Sequence, residues 1–337
     1  MCQNIHEYPE IAVMILNHNG LKYLNKCLSS LNNDLYSNKI IYILDNNSTD
    51  KSVDYVYNKY PTVNIMQFKE NYGFSYSYDY AIRSLKNKYI AILNNDTYVH
   101  EMWLSELYKN MKEKESIGIC GSKMLDYLNQ NIIDHAGGLI NVIGGGNDIG
   151  KGEMDYEKFN KSEYVGFACG GAALINKDAY LSIGGFDPKY FLYHEDVDLC
   201  WRLWQSGFRV LYVPSAIVYH IGGGTSGDIE SPFRIYHSQK SRLRCLFKNS
   251  DIKNLLKGIA VSIIFDVVRS IKYAIKGEFK CLGSIWRANW YVIKNCKDIC
   301  ILIKGIKKRE SLKNIEKKYM YRLTISLIDS IKDYCKI

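Results

Sequence analysis

The chain has 337 residues, 47% of them hydrophobic, ten cysteines and a formal net charge of +9; that is room for one large or two medium domains with a real core, and it excludes a chain disordered in bulk. Residues 232–337 hold 24 of the 44 Lys and Arg but only 8 of the 35 Asp and Glu, so a mildly acidic front is joined to a strongly basic tail of the kind that suits nucleic acid or an anionic membrane surface. No CxxC pair occurs, only Cys296 and Cys300 are helical neighbours, and "MCQNIHEYPE" lacks the apolar run of a secretion signal; zinc-ribbon and disulfide-framework readings fail, which leaves reduced cysteines acting as small hydrophobes in a cytosolic protein.

"IAVMIL" (11–16) ends at the polar "NHNG" and reads as a buried strand of a parallel sheet. "LKYLNKCLSSL" follows with Leu21, Leu24, Leu28 and Leu31 at helical spacing. "IIYIL" (40–44) is a second strand, "DNNSTD" a turn, and the next helix runs to Tyr60, where Pro61 stops it. "VNIMQF", "YIAIL" (89–93) and "IGIC" are further strands, separated by helices at "FSYSYDYAIRSL" and "EMWLSELYKNMKEK". This alternation predicts a parallel sheet with helices on both faces, whose ligands sit beyond the carboxyl ends of the strands. "NHNG", "DNNSTD" and "NNDT" all fall there.

From about 121 to 165 the pattern weakens, and the glycine-rich "GGLINVIGGGNDIGKG" reads as a hairpin or a mobile loop. "GGAALI" (170–175) is strand-like, "KDAYLSIGGF" a short helix, "EDVDLCWRLWQSG" a helix closed by Gly207, and "RVLYV" and "AIVYH" are strands. After Pro232 the segments 233–248, 251–276, 284–304 and 308–334 read as lysine-rich amphipathic helices. The longest apolar run, "GIAVSIIFDVV", is about half the ~20 residues that span a bilayer and contains Asp266.

Each polar candidate has two readings. Asp96, ending "YIAILNNDT" after Asn94 and Asn95, can hold a hard divalent cation or cap the helix beginning near Glu101. Asp45 can accept a hydrogen bond from the N3–H of a pyrimidine base; Ser48 to Asp50 can form the turn and helix cap, which would leave Asp45 free. Gly73 allows close approach of a ligand at a helix N-terminus, or serves a turn. His220 is a metal ligand or a hydrogen-bonded core histidine, and the glycine run after it is a closing loop or a linker. Glu195, Asp196 and Asp198 open a helix where the dipole favours acids. Asp198 is assigned to an i,i+4 pair with Arg202 and Asp196 to catalysis as general base.

Together "VMILNHNG", "LDNNSTD", "ENYGFSYSYD", "LNNDT", "GGAALINKDAYLSIGGFDPKYFLYHEDVDLCWR" and "YHIGGGTS" resemble family 2 glycosyltransferases of the GT-A fold, most closely the rhamnosyltransferase-like branch, in the family's order over residues 10–227. The resemblance implies an α/β, Rossmann-like nucleotide-diphospho-sugar transferase domain over 1–230, with a basic helical region over 231–337. It implies that Asp45 contacts the nucleobase with backbone near Leu16 and His18, that Asn94, Asn95 and Asp96 form the DxD-like motif, and that His220 completes the metal site. Gly170 and Gly171 would lie beside the donor sugar, and Asp196, preceded by Glu195, would deprotonate the acceptor. Three positions depart from the pattern: Asn94 stands for the first Asp, His18 for the usual tyrosine and Asp79 for a frequent Asn. The implied reaction is metal-dependent (Mg2+ or Mn2+), inverting transfer from a dTDP- or UDP-linked sugar to a glycan or polyprenyl-linked hydroxyl in cell-surface polysaccharide synthesis.

The tail would then dock a cytoplasmic protein on the inner membrane face, or else form a helical subdomain or a homo-oligomer contact. No nucleic-acid-binding signature accompanies it, and no GxGxxG follows the first strand, which argues against nucleic acid and against a dinucleotide oxidoreductase. A catalytically weak nucleotide-binding module is opposed by the presence of both Asp96 and Asp196. The reading requires those two acids to meet at one site.

Overall fold

A computed structural model describes residues 8–222, 231–295 and 298. The first strands follow the apolar runs: β1 (Ile11–Asn17), β2 (Lys39–Asp45), β3 (Asn64–Gln67) and β4 (Tyr89–Asn94), with α1 (Leu21–Asn33), α2 (Ser52–Lys59) and α3 (Gly73–Ser84) between them. Along β1 the side chains alternate between two cores. Ile11, Val13 and Ile15 belong to the core that holds Leu24, Leu28 and Trp103, while Ala12 and Met14 belong to the one that holds Tyr78, so a strand buried on both faces reads as continuously apolar.

β3, β2, β1 and β4 are parallel in that order. The expected all-parallel sheet ends there. β5 (Thr97–Val99) and α4 (Trp103–Lys112) precede β6 (Ile117–Asp126), which does not join β4. β11 (Ala172–Asn176) fills the gap, antiparallel to both neighbours. The apolar pattern of "AALI" fixes burial but carries no direction, so the sequence could not reveal the reversal. The consequence for the site is direct: an antiparallel strand brings its N-terminal residues, Gly170 and Gly171, to the carboxyl end of β4, where the Asn94 N–H donates to the Gly171 carbonyl (2.9 Å).

β6 also outruns the expected four residues, because Lys123 lies inside it, 2% exposed, with its ammonium on Asp155 (2.9 Å) and Asn160. The glycine-rich stretch is a hairpin, β8 (Gly138–Ile140) with β9 (Gly146–Asp148), preceded by β7 (Ile133–His135) on the edge of β6. β10 (Glu163–Tyr164), α5 (Lys177–Ser182) and α6 (Glu195–Gln205) follow. The two strands expected after Gly207 are one, β12 (Arg209–His220), with a bulge between Val213 and Ile217 where Pro214 cannot donate a ladder bond.

The helical region opens with α7 (Pro232–Asn249), capped by Ser231 with proline at its first position, and continues as α8 (Ile252–Ile275), capped by Asp251, and α9 (Phe279–Lys294). Gly277, at φ +71°, breaks α8 from α9, so the third tail helix starts at 279 rather than 284. The helix expected over 308–334 and most of the glycine run after His220 lie outside the described residues. α7 is built into the part of the chain before it: Lys248 and Asn249 reach Asp198, Arg244 reaches Asp187, and Arg242 donates to the Ile143 carbonyl. Among the described residues no helix is long and apolar enough to cross a membrane.

Candidate active site

The carboxyl ends of β1 and β2 close on a buried polar knot. Asn17, which the sequence reading passed over, is its hub. Its Nδ2 lies 3.0 Å from Asp45 Oδ1 and its Oδ1 accepts from Asn95 Nδ2 (2.9 Å). Asp45 is 2% exposed, and its Oδ2 accepts the Ser48 N–H (3.0 Å). The turn therefore does not leave Asp45 free: both oxygens anchor it. His18 Nδ1 lies 2.8 Å from the Asn46 carbonyl, and the Leu16 N–H donates to the Tyr78 hydroxyl (3.3 Å).

Gly73 also needs correcting. Its φ is +78°, and a Cβ there would stand 2.3 Å from the Phe191 carbonyl, which accepts the Phe74 N–H (2.8 Å). The close approach is to chain, and the first two donors of α3 are engaged within it, the Gly73 N–H on Asn71 Oδ1 (3.0 Å) and the Phe74 N–H on Phe191, so packing alone requires glycine here.

Asp96, 5% exposed, follows β4, and its backbone carbonyl accepts the Ile221 N–H (2.9 Å). This ties it to the end of β12, where His220 Nε2 lies 3.4 Å from Asp96 Oδ1. His220 Nδ1 lies 2.7 Å from Asp134 Oδ2. Burial disfavours the imidazolium, but the bonds to Asp134 and Asp96 outweigh it and push the pKa up to about 9. The polar chain continues beyond this pair. Lys151 Nζ sits 3.1 Å from Asp134 and 3.7 Å from Asp148, and Asp148 lies 2.9 Å from His135 Nδ1. Asp134, His135, Asp148 and Lys151 were missed because they fall in the stretch with weak periodicity; the signal available was "IIDH" and "GNDIGK", charges beside apolar runs.

At the other end Asp196 accepts two N–H groups, from Gly170 on Oδ2 (3.1 Å) and from Val197 on Oδ1 (2.8 Å). Burial raises its pKa above the ordinary carboxylate value, and the two bonds pull the other way. Burial, then the neighbouring Asp196, raises Glu195 well above its own. Before them Tyr193 and His194 both hold left-handed φ, 69° and 61°, a conformation costing about 1–3 kcal/mol per residue that packing must sustain; it turns the chain so that α6 starts with its acids against the 169–171 loop. Asp198 forms the expected pair with Arg202 (2.6 Å).

The structure thus joins the two ends by hydrogen bonds through one loop: Gly170 holds Asp196 while Gly171 holds Asn94, two residues from Asp96. As a cation site, Asp96 and His220 offer one carboxylate and one imidazole. No group of three or more His, Cys, Asp or Glu side chains among the described residues could hold a metal unaided. Such a donor pair fits a hard divalent ion that takes its remaining ligands from substrate phosphates and water.

Comparison with known proteins agrees. The chain is 24% identical over 250 residues to N-acetylglucosaminyl-diphospho-decaprenol L-rhamnosyltransferase of Mycobacterium tuberculosis, covering 67% of this chain and 81% of that one. It is 25% identical over 258 residues to rhamnosyltransferase WbbL of Escherichia coli K12, covering 72% and 95%. Among solved structures, GalNAc-T7 with UDP, GalNAc and Mn2+ superposes with a TM-score of 0.58 at 17% identity (72% of this chain, 48% of that one). The mannosyltransferase PcManGT of Pyrobaculum calidifontis with GDP-Man and Mn2+ gives 0.54 at 12% identity (93% and 89%); these likenesses support the GT-A fold. The pattern described as the N-terminal domain of galactosyltransferase matches residues 155–225, the part carrying Asp196 and His220. The pattern of glycosyl transferase family 2 matches residues 12–184, the β1-to-α5 stretch that builds the rest of the site, and the chain, a rhamnosyltransferase-like glycosyltransferase, belongs to that family.

Proposed function

We propose that the protein transfers a hexose from a dTDP- or UDP-linked donor, with inversion, to a hydroxyl of a polyprenyl-diphosphate-linked glycan in cell-surface polysaccharide synthesis. L-rhamnose, named for both relatives, is the first sugar to test. The carrying observation is the pair of hydrogen bonds by which one loop reaches both Asp196 and the end of β4. Asp196 takes the proton of the acceptor hydroxyl as its oxygen bonds to the anomeric carbon. The bond from that carbon to the phosphate oxygen breaks on the opposite face, and the nucleoside diphosphate leaves with the electron pair. A raised pKa makes Asp196 a stronger base than an ordinary carboxylate. Asp96 and His220 would hold Mg2+ or Mn2+, which supplies positive charge for the departing diphosphate. Leu16, His18, Asn94 and Asn95 line the donor end; Asp45 acts there by fixing the turn that Asn17 shares.

Transfer is tested with dTDP-L-rhamnose and N-acetylglucosaminyl-diphospho-polyprenol; no disaccharide-lipid with any dTDP- or UDP-sugar would overturn the reading. A calorimetric titration with dTDP examines the cation. Wild-type affinity is expected to rise at least about tenfold on adding Mn2+, and Asp96→Ala to abolish that gain. Equal wild-type affinity with and without Mn2+ would end the metal assignment.

The same reading places the protein on the cytoplasmic face of the membrane. Ile263, Val267, Ile271 and Ile275 form an exposed stripe on α8, as do Phe279, Trp286, Trp290 and Ile293 on α9, beside Lys272, Lys276, Lys280 and Arg287. Apolar stripes rimmed by cations suit an anionic bilayer surface. Full-length protein with Ile263, Val267 and Ile271 changed to serine is expected to lose most of its co-sedimentation with phosphatidylglycerol vesicles. Binding equal to wild type would discard the docking surface.

A further inference from the structure

We propose that His135 is a positioning residue for Asp196, acting through the backbone of Cys169 and Gly170; the inference rests on reading Asp196 as the base. His135 is 2% exposed, in the short strand β7, paired with Met124 of β6 and packed near Phe167 (5.5 Å between ring centroids). Its Nε2 lies 3.2 Å from the Cys169 nitrogen. A backbone N–H donates only to a nitrogen with a lone pair, so the ring proton resides on Nδ1, which faces Asp148 Oδ1 at 2.9 Å. Asp148 thereby selects the tautomer that lets the ring accept. The next N–H along the chain, that of Gly170, donates to Asp196 Oδ2 (3.1 Å). Two consecutive amides thus connect a buried ring to the base.

Apart from the Cys169 and Gly170 amides, the other N–H groups of the loop are held more weakly, while the Gly171 carbonyl takes the Asn94 N–H (2.9 Å). The Ala168 N–H ends on Cys200 Sγ (3.5 Å) and the Gly171 N–H on Cys169 Sγ (3.3 Å), and sulfur is a weak acceptor. His135 is the one nitrogen acceptor on this segment, so losing it should let the loop drift and lengthen the Gly170 bond. Burial and the Asp148 charge raise the Asp196 pKa, and the Gly170 bond pulls it down by favouring the ionised form. Glu195 and Cys169 also face the base. A displacement of about 1 Å at a catalytic group can cost on the order of a hundredfold in rate.

The test uses full-length protein carrying 13C-carboxyl aspartate, with the Asp196 signal identified by its loss in Asp196→Asn. His135→Phe retains a ring without nitrogen. It is expected to move the Asp196 titration to higher pH and to lower kcat at least tenfold with dTDP-L-rhamnose and N-acetylglucosaminyl-diphospho-polyprenol, the donor KM staying within twofold. His135→Gln, whose amide oxygen can accept from Cys169, is expected to restore most of both. Should His135→Phe fail to fold, Asp148→Ala releases the tautomer and is read by kcat, expected to fall at least tenfold with the donor KM within twofold; its titration is not the readout, because losing the Asp148 charge by itself lowers the Asp196 pKa. An unmoved titration, or Phe and Gln variants displaced and slowed alike, overturns the proposal. Wild-type turnover in Asp196→Asn overturns the base reading instead, and leaves the titration to judge the relay separately.

Discussion

Asp196→Asn is expected to lower kcat by a factor of at least about 100 while leaving dTDP affinity and the melting transition near wild type. Asparagine keeps the volume, and its Oδ1 can still accept the Gly170 N–H that Asp196 now takes at 3.1 Å. The Val197 N–H loses its partner on Oδ1, a cost of about 1 kcal/mol. What disappears is the lone pair that receives the acceptor proton, and the donor end gains no new contact to disturb it. The wild-type pH profile should carry the same signature. The base works ionised and its pKa is raised chiefly by burial, so kcat should fall on the acid side at a pH above the ordinary aspartate value, and Asp196→Asn should flatten that limb. A variant that turns over at the wild-type rate would remove Asp196 from the chemistry.

Why the base end could be read from the chain, and its support could not, follows from where the partners lie. "EDVDLCWR" announces a helix, an acidic first turn and an i,i+4 pair, all local, and the structure bears them out in α6 and the Asp198–Arg202 bond. "YIAILNNDT" likewise marks a strand end with one acid, Asp96, beyond it. Direction is another matter: β11 is as apolar as its neighbours yet runs antiparallel, and only that reversal brings Gly170 and Gly171 to Asn94. His135 and Cys169 are 34 residues apart, in a stretch where short strands and a hairpin leave too few residues for a period to show. Asp45 and Gly73 carried the expected residue types, but their partners within the chain, Asn17 and Ser48 for the first and Phe191 beside the second, were not legible, because a sequence does not reveal which part of its own chain a polar group will meet. For His220 the structure shows the hydrogen-bonded alternative, between Asp134 and Asp96, and the metal role stays with the proposed function.

Asp198→Ala should be strongly destabilising, at about 3–5 kcal/mol, read as a lowered denaturant midpoint. The carboxylate is fully buried and holds Arg202 through Oδ2 (2.6 and 2.9 Å), Lys248 through the same oxygen (3.0 Å) and Asn249 through Oδ1 (2.8 Å). Its removal leaves the Arg202 charge hydrogen-bonded to the Ile183 carbonyl (2.9 Å) with Asp187 as the remaining negative charge near it, and unfastens α7 from α6, although Asp187 still holds Lys248 and Arg244. Three carboxyls in one helical turn thus divide by partner. Burial raises all three, but for Asp198 the charges of Arg202 and Lys248 reverse the direction and hold it far below the usual range. The pH signs follow. Asp198 stabilises fully above its unfolded pKa of about 3.9, and that contribution fades as pH falls toward the depressed folded value. The gap between wild type and Asp198→Ala should therefore narrow on acidification below about pH 4. For Glu195 and Asp196, with raised values, ionisation costs stability as pH climbs through the folded pKa, so neutralising Asp196 should not weaken the fold at pH 7 as neutralising Asp198 does. Midpoints for Asp198→Ala equal to wild type at pH 7 would mean that α6 and α7 are held by packing alone. The ion network makes the opposite expectation, and it extends to truncation: a chain cut at residue 230 loses Lys248 and Asn249 together, so the basic helices cannot be removed as a detachable tail without loosening the turn that carries the base.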